Sequence, residues 1–158
     1  MKRLLIVWHT QFGCTGALAA AAVEGARGVD GVKTIALRAH NAGVDDVLGA
    51  DAYLIGCSEN FGGMAGQVKD FLERIYYPCE ARIEARAWSA FVCAGNDGTG
   101  AMRDLDRVAK GLRLRTVHPG IVHRSGRVAL AYPVAEDARD ACRELGATLA
   151  AGLAEGLW

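Results

Sequence analysis

The sequence is poor in proline and in aromatic residues, and it has no excess charge of either sign. It contains 3 prolines among 158 residues and 7% aromatic residues, while 18 Lys and Arg balance 18 Asp and Glu. The charge balance argues against a basic surface for nucleic acid and against a strongly acidic docking face. We therefore expect small molecules, or further copies of the same chain, as partners.

Membrane spans and cysteine pairs are missing as well. No apolar run has the length of a membrane span, and the run at Arg3–Trp8 ends at polar residues from His9 onward, so we expect a first strand there rather than a signal peptide. The 5 cysteines include no CxxC pair, which indicates free thiols and a reducing, cytoplasmic location. Neither the cysteines nor the histidines have metal-ligand spacing, so no metal site is expected.

What is present is the pattern of an α/β domain. With 51% hydrophobic and 23% charged residues, the chain has the composition of one globular domain over residues 1–158. Short apolar runs alternate with amphipathic stretches, which predicts repeated strand–helix units and a parallel sheet. Strands are predicted at Arg3–Trp8, Val32–Leu37, Ala52–Cys57, Ser89–Ala94 and within Thr116–Val122, and helices at Thr15–Arg27, Gly66–Tyr76, Thr99–Leu112 and Ala135–Leu153.

The fifth strand has the least regular pattern. Pro119 and Gly120 interrupt Thr116–Val122, and Arg127–Ala131 offers an alternative strand or an added edge hairpin. We expect the last strand of the sheet to lie in one of these two segments.

A glycine-rich loop follows the third predicted strand. The run Gly56–Leu72, GCSENFGGMAGQVKDFL, leads from that strand into an amphipathic helix. Gly62, Gly63 and Gly66 let the backbone approach a flat ligand, and open α/β sheets bind their ligands at the carboxyl ends of parallel strands. We expect this run to be a ligand-binding loop.

The loop after the first strand, His9 to Gly16, is suited to a phosphate group. Gly13 permits a tight approach, the hydroxyls of Thr10 and Thr15 add donors, and the helix that follows offers free amides. The P-loop pattern GxxxxGK[ST] is absent here, which argues against a nucleoside triphosphate, and the fingerprint GxGxxG is absent too, which argues against a dinucleotide. The alternative is an ordinary strand–helix turn with Thr15 as the helix N-cap.

Together the two loops resemble the flavodoxin-like FMN-binding family. Thr10, Gly13 and Thr15 keep the family's phosphate-loop pattern, with Phe12 in place of its middle threonine. The segment SENFGGMAGQV, which begins at Ser58, is similar to the second loop of the NAD(P)H:quinone oxidoreductase (tryptophan-repressor-binding-protein-like) and NADPH-dependent FMN reductase branch. It departs from that branch at Asn60, where relatives often carry an arginine.

The resemblance implies a three-layer sandwich with a five-stranded parallel sheet in the order 2-1-3-4-5 and helices on both faces. It implies FMN as cofactor, NAD(P)H as co-substrate, and an oxidoreductase that passes a hydride through flavin N5 to a quinone or similar small acceptor. A flavodoxin-type electron carrier is the alternative, and a cofactor-free interaction domain is a third reading. A homo-oligomer, either a dimer or a tetramer, is also implied.

The resemblance also assigns roles to single residues. The loop after the fourth strand borders the pyrimidine end of the flavin, where Asn96 or Asp97 caps the next helix or reaches the ring, and Asp97 near N1 would lower the reduction potential. His118 is a catalytic candidate near the flavin of a neighbouring subunit. Cys14 lies at a helix start, which makes it either a redox-sensitive thiol or a small filler. The cofactor-binding residues are Thr10, Gln11, Phe12, Gly13, Cys14, Thr15, Ser58, Glu59, Asn60, Phe61, Gly62, Gly63, Ala94, Gly95, Asn96, Asp97 and Gly98.

Overall fold

The fold is a parallel sheet between two layers of helices. The computed structural model describes residues 1–126 and 131–158. Within the described residues, no helix combines the length and the apolar character needed to cross a membrane. In chain order the elements are β1 (Lys2–Trp8), α1 (Cys14–Arg27), β2 (Val32–Arg38), α2 (Val44–Leu48), β3 (Ala52–Asn60), β4 (Gly63–Met64), α3 (Gly66–Cys79), β5 (Ala87–Ala94), α4 (Thr99–Gly111), β6 (Arg115–Thr116), β7 (Ile121–Arg124) and α5 (Glu136–Ala154).

The strand order confirms the predicted flavodoxin-like core. The sheet runs β2-β1-β3-β5-β6 with parallel pairing throughout, and the short β4 lies antiparallel to the end of β3. Chain order reverses at β1, which lies between β2 and β3. In an open α/β sheet, the crevice at such a reversal is where ligands bind.

The prediction of a single fifth strand was wrong. Two short strands, β6 and β7, pair with β5 at its beginning and at its end, and the chain leaves the sheet between them. Pro119 has no backbone N–H for the ladder, and Gly120 is left-handed, with a φ of 87°, and donates its N–H to Nδ1 of His118 at 3.0 Å. The alternative strand at Arg127–Ala131 falls largely outside the described residues.

The two core layers follow from the alternation of side chains along the strands. On β1, Leu4 and Ile6 pack with α1 and α5, whereas Leu5 and Val7 pack with the layer that contains α2, α3 and α4. All four side chains are fully buried, and burying such a side chain stabilises the fold by about 1.5–3 kcal/mol. Hydrophobic cores thus fix both faces of the sheet and leave its carboxyl edge to the loops.

The predicted helices are confirmed with small shifts at their ends, and one helix was missed. α3 continues to Cys79 and so includes Pro78, beyond its predicted end at Tyr76. The missed helix, α2, has 5 residues and is too short to show an apolar period.

Candidate functional site

The loops after β1, β3 and β5 meet at the carboxyl edge of the sheet and enclose a cleft. The cleft holds about 420 Å³ of empty space and opens to solvent. It continues into a shallower hollow beside Phe61, Gly62 and Asn96. Its lining residues are Thr10, Gln11, Phe12, Cys14, Thr15, Ser58, Glu59, Asn60, Cys93, Ala94, Gly95 and Tyr132. The structure therefore brings together most of the residues that the sequence assigned to a cofactor.

The loop after β1 presents free backbone donors. Gly13 is the N-cap of α1 in the left-handed conformation, with a φ of 95°, and its N–H donates to Thr10 Oγ1 at 3.0 Å. The alternative interpretation, in which Thr15 is the helix N-cap, is not found, because the helix already begins at Cys14 and Thr15 lies buried within its first turn. The first helical bond runs from Ala17 N–H to the Gly13 carbonyl, so the amides of residues 14–16 have no acceptor within the helix. Such a helix start is suited to bind an anion.

Positive charge near this loop comes from β2. Arg38 donates through Nη2 to the Thr10 carbonyl oxygen at 3.1 Å. Burial, followed by the charges of Arg38 and His40, lowers the pKa of His9 below its ordinary value of 6.5. Nδ1 of His9 is buried without a hydrogen-bond partner among the described residues. The positive charge at this loop is therefore that of the guanidinium, not of a protonated His9.

The second loop, which includes the end of β3 and the short β4, is hydrogen-bonded to α4 and to the residue before it. Glu59 accepts the N–H of Gly98 at 2.9 Å and that of Ala101 at 3.2 Å. Met64 N–H donates to Asp104 Oδ2 at 3.1 Å. These bonds hold the second loop against α4.

The cap of α4 differs from the predicted one. The N-cap is Gly98, with a φ of 87°, and the side chain that accepts the amides of Gly98 and Ala101 is that of Glu59, not that of Asn96 or Asp97. Asp97 instead accepts the hydroxyl of Thr99 at 2.7 Å. Asn96 and Asp97 are both exposed at the rim of the site.

Aromatic side chains border the mouth of the cleft. The rings of Phe12 and Tyr132 are 5.6 Å apart between centroids. Phe61 has a left-handed backbone, with a φ of 52°, and its side chain is fully exposed. Sequence analysis missed Tyr132, which follows α4 by some twenty residues in a segment without periodicity. A flat ligand that enters the cleft would meet these rings.

The cysteine prediction was wrong for two of the five residues. Cys14 and Cys93 form a disulfide with their Cα atoms 6.4 Å apart, and 79 positions separate them in sequence. Cys57, Cys79 and Cys142 are free and buried. No spacing rule connects residues so distant, so the sequence offered no signal for this pair.

Other polar groups divide into those at the cleft and those away from it. Ser58 lines the cleft, and its buried Oγ has no hydrogen-bond partner in the part of the chain that the structure describes. His118 lies between β6 and β7, where its carbonyl oxygen accepts the hydroxyl of Ser89 from the first half of β5. The structure does not bring His118 to the cleft of its own chain, and its catalytic role stays a prediction. In residues 1–126 and 131–158, no cluster of His, Cys, Asp or Glu is arranged to hold a metal ion.

Comparison with curated proteins finds two kinds of relative. The chain is 26% identical over 160 residues to a flavodoxin of Aquifex aeolicus (strain VF5), which covers 95% of this chain and 86% of the relative. It is 29% identical over 113 residues to an NAD(P)H dehydrogenase (quinone) of Acidithiobacillus ferrooxidans, which covers 58% of this chain and 56% of the relative. No family model matches the chain.

Comparison with solved structures shows the fold. A flavodoxin from the domain Archaea superposes with a TM-score of 0.78 at 17% identity, covering 96% of this chain and 98% of that one. A flavodoxin, WrbA-like protein from Agrobacterium tumefaciens superposes with a TM-score of 0.73 at 17% identity, covering 99% of each chain. Both likenesses extend over nearly the whole molecule.

Proposed function

We propose that this chain, a member of the flavodoxin-like fold family, binds FMN in its cleft and acts as an oxidoreductase that passes electrons from NAD(P)H to a quinone or similar small acceptor. The observation that carries this proposal is the cleft itself, in which an anion-binding helix start and a rim of aromatic rings share one space. The quinone dehydrogenase among the relatives supports the choice of reaction. Cytoplasmic location and assembly into a homo-oligomer belong to the same proposal.

The residues at the inner end of the cleft fit the phosphate of FMN. The free amides of residues 14–16 provide donors, and the helix dipole of α1 favours a dianion at this point. The hydroxyl of Ser58, which has no partner among the described residues, adds a side-chain donor to the lining of the cleft. Arg38 contributes charge from behind the loop through its bond to Thr10.

The residues at the outer end fit the flat ring. Phe12, Phe61 and Tyr132 offer aromatic surfaces for stacking, which prefers offset or edge contacts. The backbone of the loop after β5 contributes amides at Gly95 and Asn96, next to the hollow that continues the cleft. These groups would hold the ring between the second loop and the loop after β5.

When bound, FMN would supply the hydride and electron chemistry, while this chain supplies binding and orientation. The Gly62 carbonyl packs against the Cα of Gly100. Any rotation of the Gly62–Gly63 peptide beside the flavin would therefore require this contact to open. Asp97 is exposed and bonded to Thr99, and it would act on the ring only through its charge. The chain thus places the ring through backbone contacts more than through side chains.

A flavodoxin-type electron carrier is the second candidate. The curated flavodoxin relative covers 95% of this chain, which favours it, whereas equal numbers of acidic and basic residues do not. A carrier would exchange electrons with a protein partner instead of a quinone.

The test begins with purified protein and added FMN. We expect quenching of flavin fluorescence at micromolar protein, weaker binding of riboflavin because it lacks the phosphate, and NAD(P)H oxidation that depends on added quinone. Flavin binding without such turnover would favour the carrier. The absence of FMN binding at micromolar concentration would contradict both and favour the interaction domain.

A further inference from the structure

We propose that the Cys14–Cys93 disulfide is a thiol–disulfide exchange site, and that its substrate is a small thiol that enters through the cleft. Both cysteines line the cleft, and together they join the start of α1 to the end of β5. The proposal assigns a second redox group to the same space as the proposed flavin.

The surroundings of the disulfide define how a reagent can reach it. Cys14 is 6% exposed and Cys93 is 4% exposed. On one side both pack into the apolar layer formed by α1, α5 and the sheet, where Leu18 and Phe91 are fully buried. The cleft is the opening on the other side. A small thiol can enter this space, whereas a folded protein reductant cannot bring its own cysteine to the floor of the cleft.

The two sulfurs differ in their ability to leave. Cys14 is the first residue of α1, where the free amides and the helix dipole stabilise a thiolate. Cys93 is on a strand, and its Sγ lies 4.0 Å from Ser125 Oγ. Because the thiol with the more stable thiolate leaves faster, attack is directed to the sulfur of Cys93.

The exchange is balanced in two steps. The thiolate of a dithiol attacks Cys93 Sγ, a mixed disulfide forms there, and the Cys14–Cys93 bond breaks to leave the Cys14 thiolate. The second thiol of the reagent then attacks the reagent's other sulfur, which is bonded to Cys93 in the mixed disulfide, and releases the Cys93 thiolate. The reagent becomes a cyclic disulfide and loses two electrons and two protons, and the protein gains both as two thiols.

The remaining cysteines are not part of this chemistry. Burial raises the pKa of Cys57 and that of Cys142 to about 12 and also raises the pKa of Cys79, and all three side chains are fully buried. Thiols with such pKa values are poor nucleophiles near neutral pH. They provide internal controls, because native protein should keep them unreactive while the Cys14–Cys93 pair opens and closes.

The test measures thiols in native protein treated with dithiothreitol, followed by gel filtration and reaction with a chromogenic disulfide. We expect two reactive thiols after treatment and none before it, with no need for denaturant, and the same behaviour in the control variant Cys142→Ala. In Cys14→Ser, oxidised glutathione should leave a stable mixed disulfide on Cys93, located by peptide mass spectrometry. A disulfide that resists dithiothreitol until the protein is unfolded, or two reactive thiols in protein never exposed to reductant, would overturn the proposal.

A second measurement tests entry through the cleft, and this part rests on the proposed function. If bound FMN fills the cleft, only free protein reacts, so FMN at ten times its dissociation constant should slow reduction about tenfold. An unchanged rate while flavin fluorescence remains quenched would overturn entry through the cleft. If FMN does not bind at all, the proposed function fails, and the thiol count and the mixed disulfide still decide whether the exchange site exists. Circular dichroism checks that Cys14→Ser is folded, and the wild-type thiol count does not depend on that variant.

Discussion

The first and second loops border the same cleft but use their polar groups in opposite ways. In the loop after β1, the amides of residues 14–16 are left without partners in the helix, and the bonds that Thr10 forms with Gly13 and Arg38 hold its shape. In the second loop, which includes the end of β3 and the short β4, the carboxylate of Glu59 and the N–H of Met64 are both bonded to the region of α4. The first loop therefore keeps donors available for a ligand, whereas the second is held in place by bonds within the protein.

The largest expected effect comes from breaking the close contact of the second loop with α4. A Cβ on Gly100 would overlap the carbonyl oxygen of Gly62, and because both partners are backbone, one element must move. We expect Gly100→Ala to lower the free energy of unfolding by about 1–3 kcal/mol and to weaken FMN binding. Urea unfolding and flavin fluorescence measure the two effects.

Gly66→Ala is the matched control for that variant. Gly66 begins α3, and a Cβ there would meet no other atom within 4 Å. We expect its stability to equal or slightly exceed that of the wild type, since alanine is the better helix former. If Gly100→Ala is as stable as Gly66→Ala, the second loop is not held by this contact.

The next effect is the loss of the cap that the second loop provides. Glu59→Ala removes the acceptors of Gly98 N–H and Ala101 N–H, and we expect a loss of about 1–2 kcal/mol, as for other helix caps. Glu59→Gln keeps one acceptor oxygen and should lose less. The control is Glu73→Ala, an exposed glutamate paired with Lys69, which should change stability by no more than about 0.5 kcal/mol. Equal losses in Glu59→Ala and Glu73→Ala would contradict the role of Glu59.

A smaller effect is expected in the first loop, and it should depend on the phosphate. Thr10→Ala removes the acceptor of Gly13 N–H, and a hydrogen bond of this kind contributes about 1 kcal/mol, so FMN affinity should fall about fivefold. Riboflavin affinity should stay unchanged because Gly13 and the amides of residues 14–16 belong to the proposed phosphate site, which riboflavin does not use. Thr10→Ser keeps the hydroxyl and should bind FMN like the wild type. A parallel loss of riboflavin affinity would show that Thr10 acts on the whole cleft.

The features that the sequence could predict are those with local signals. The apolar runs of β1, β3 and β5 and the glycines of the first two loops are contiguous patterns, and parallel strands bring their carboxyl ends to one edge. From these, the fold and most of the cleft follow. Pro119 and Gly120 also indicated an interruption of the last strand, but they did not indicate that it would become two separate strands, β6 and β7.

The features that the sequence could not predict depend on contacts between distant segments. The disulfide joins Cys14 to Cys93, and Glu59 caps a helix that begins 40 residues later, at Thr99. A glutamate in a polar loop and a cysteine in an apolar strand each have many possible partners. Only the folded sheet, which sets β1, β3 and β5 side by side, selects among them.

The smallest expected effect concerns pH and His9 at the start of the first loop. Its pKa in the folded protein lies below 6.5, because burial and then the charges of Arg38 and His40 disfavour the imidazolium. The unfolded chain titrates near the ordinary value, so between about pH 6.5 and the lower folded pKa it binds more protons than the folded protein does. The contribution of His9 to stability is therefore present above about pH 6.5 and is lost as the pH falls through that window. We expect urea unfolding at about pH 7.5 and about pH 5.5 to show a larger loss in the wild type than in His9→Asn. Equal losses would mean that folding does not lower the pKa of His9, so that His9 would add its own positive charge to that of Arg38 only below about pH 6.5.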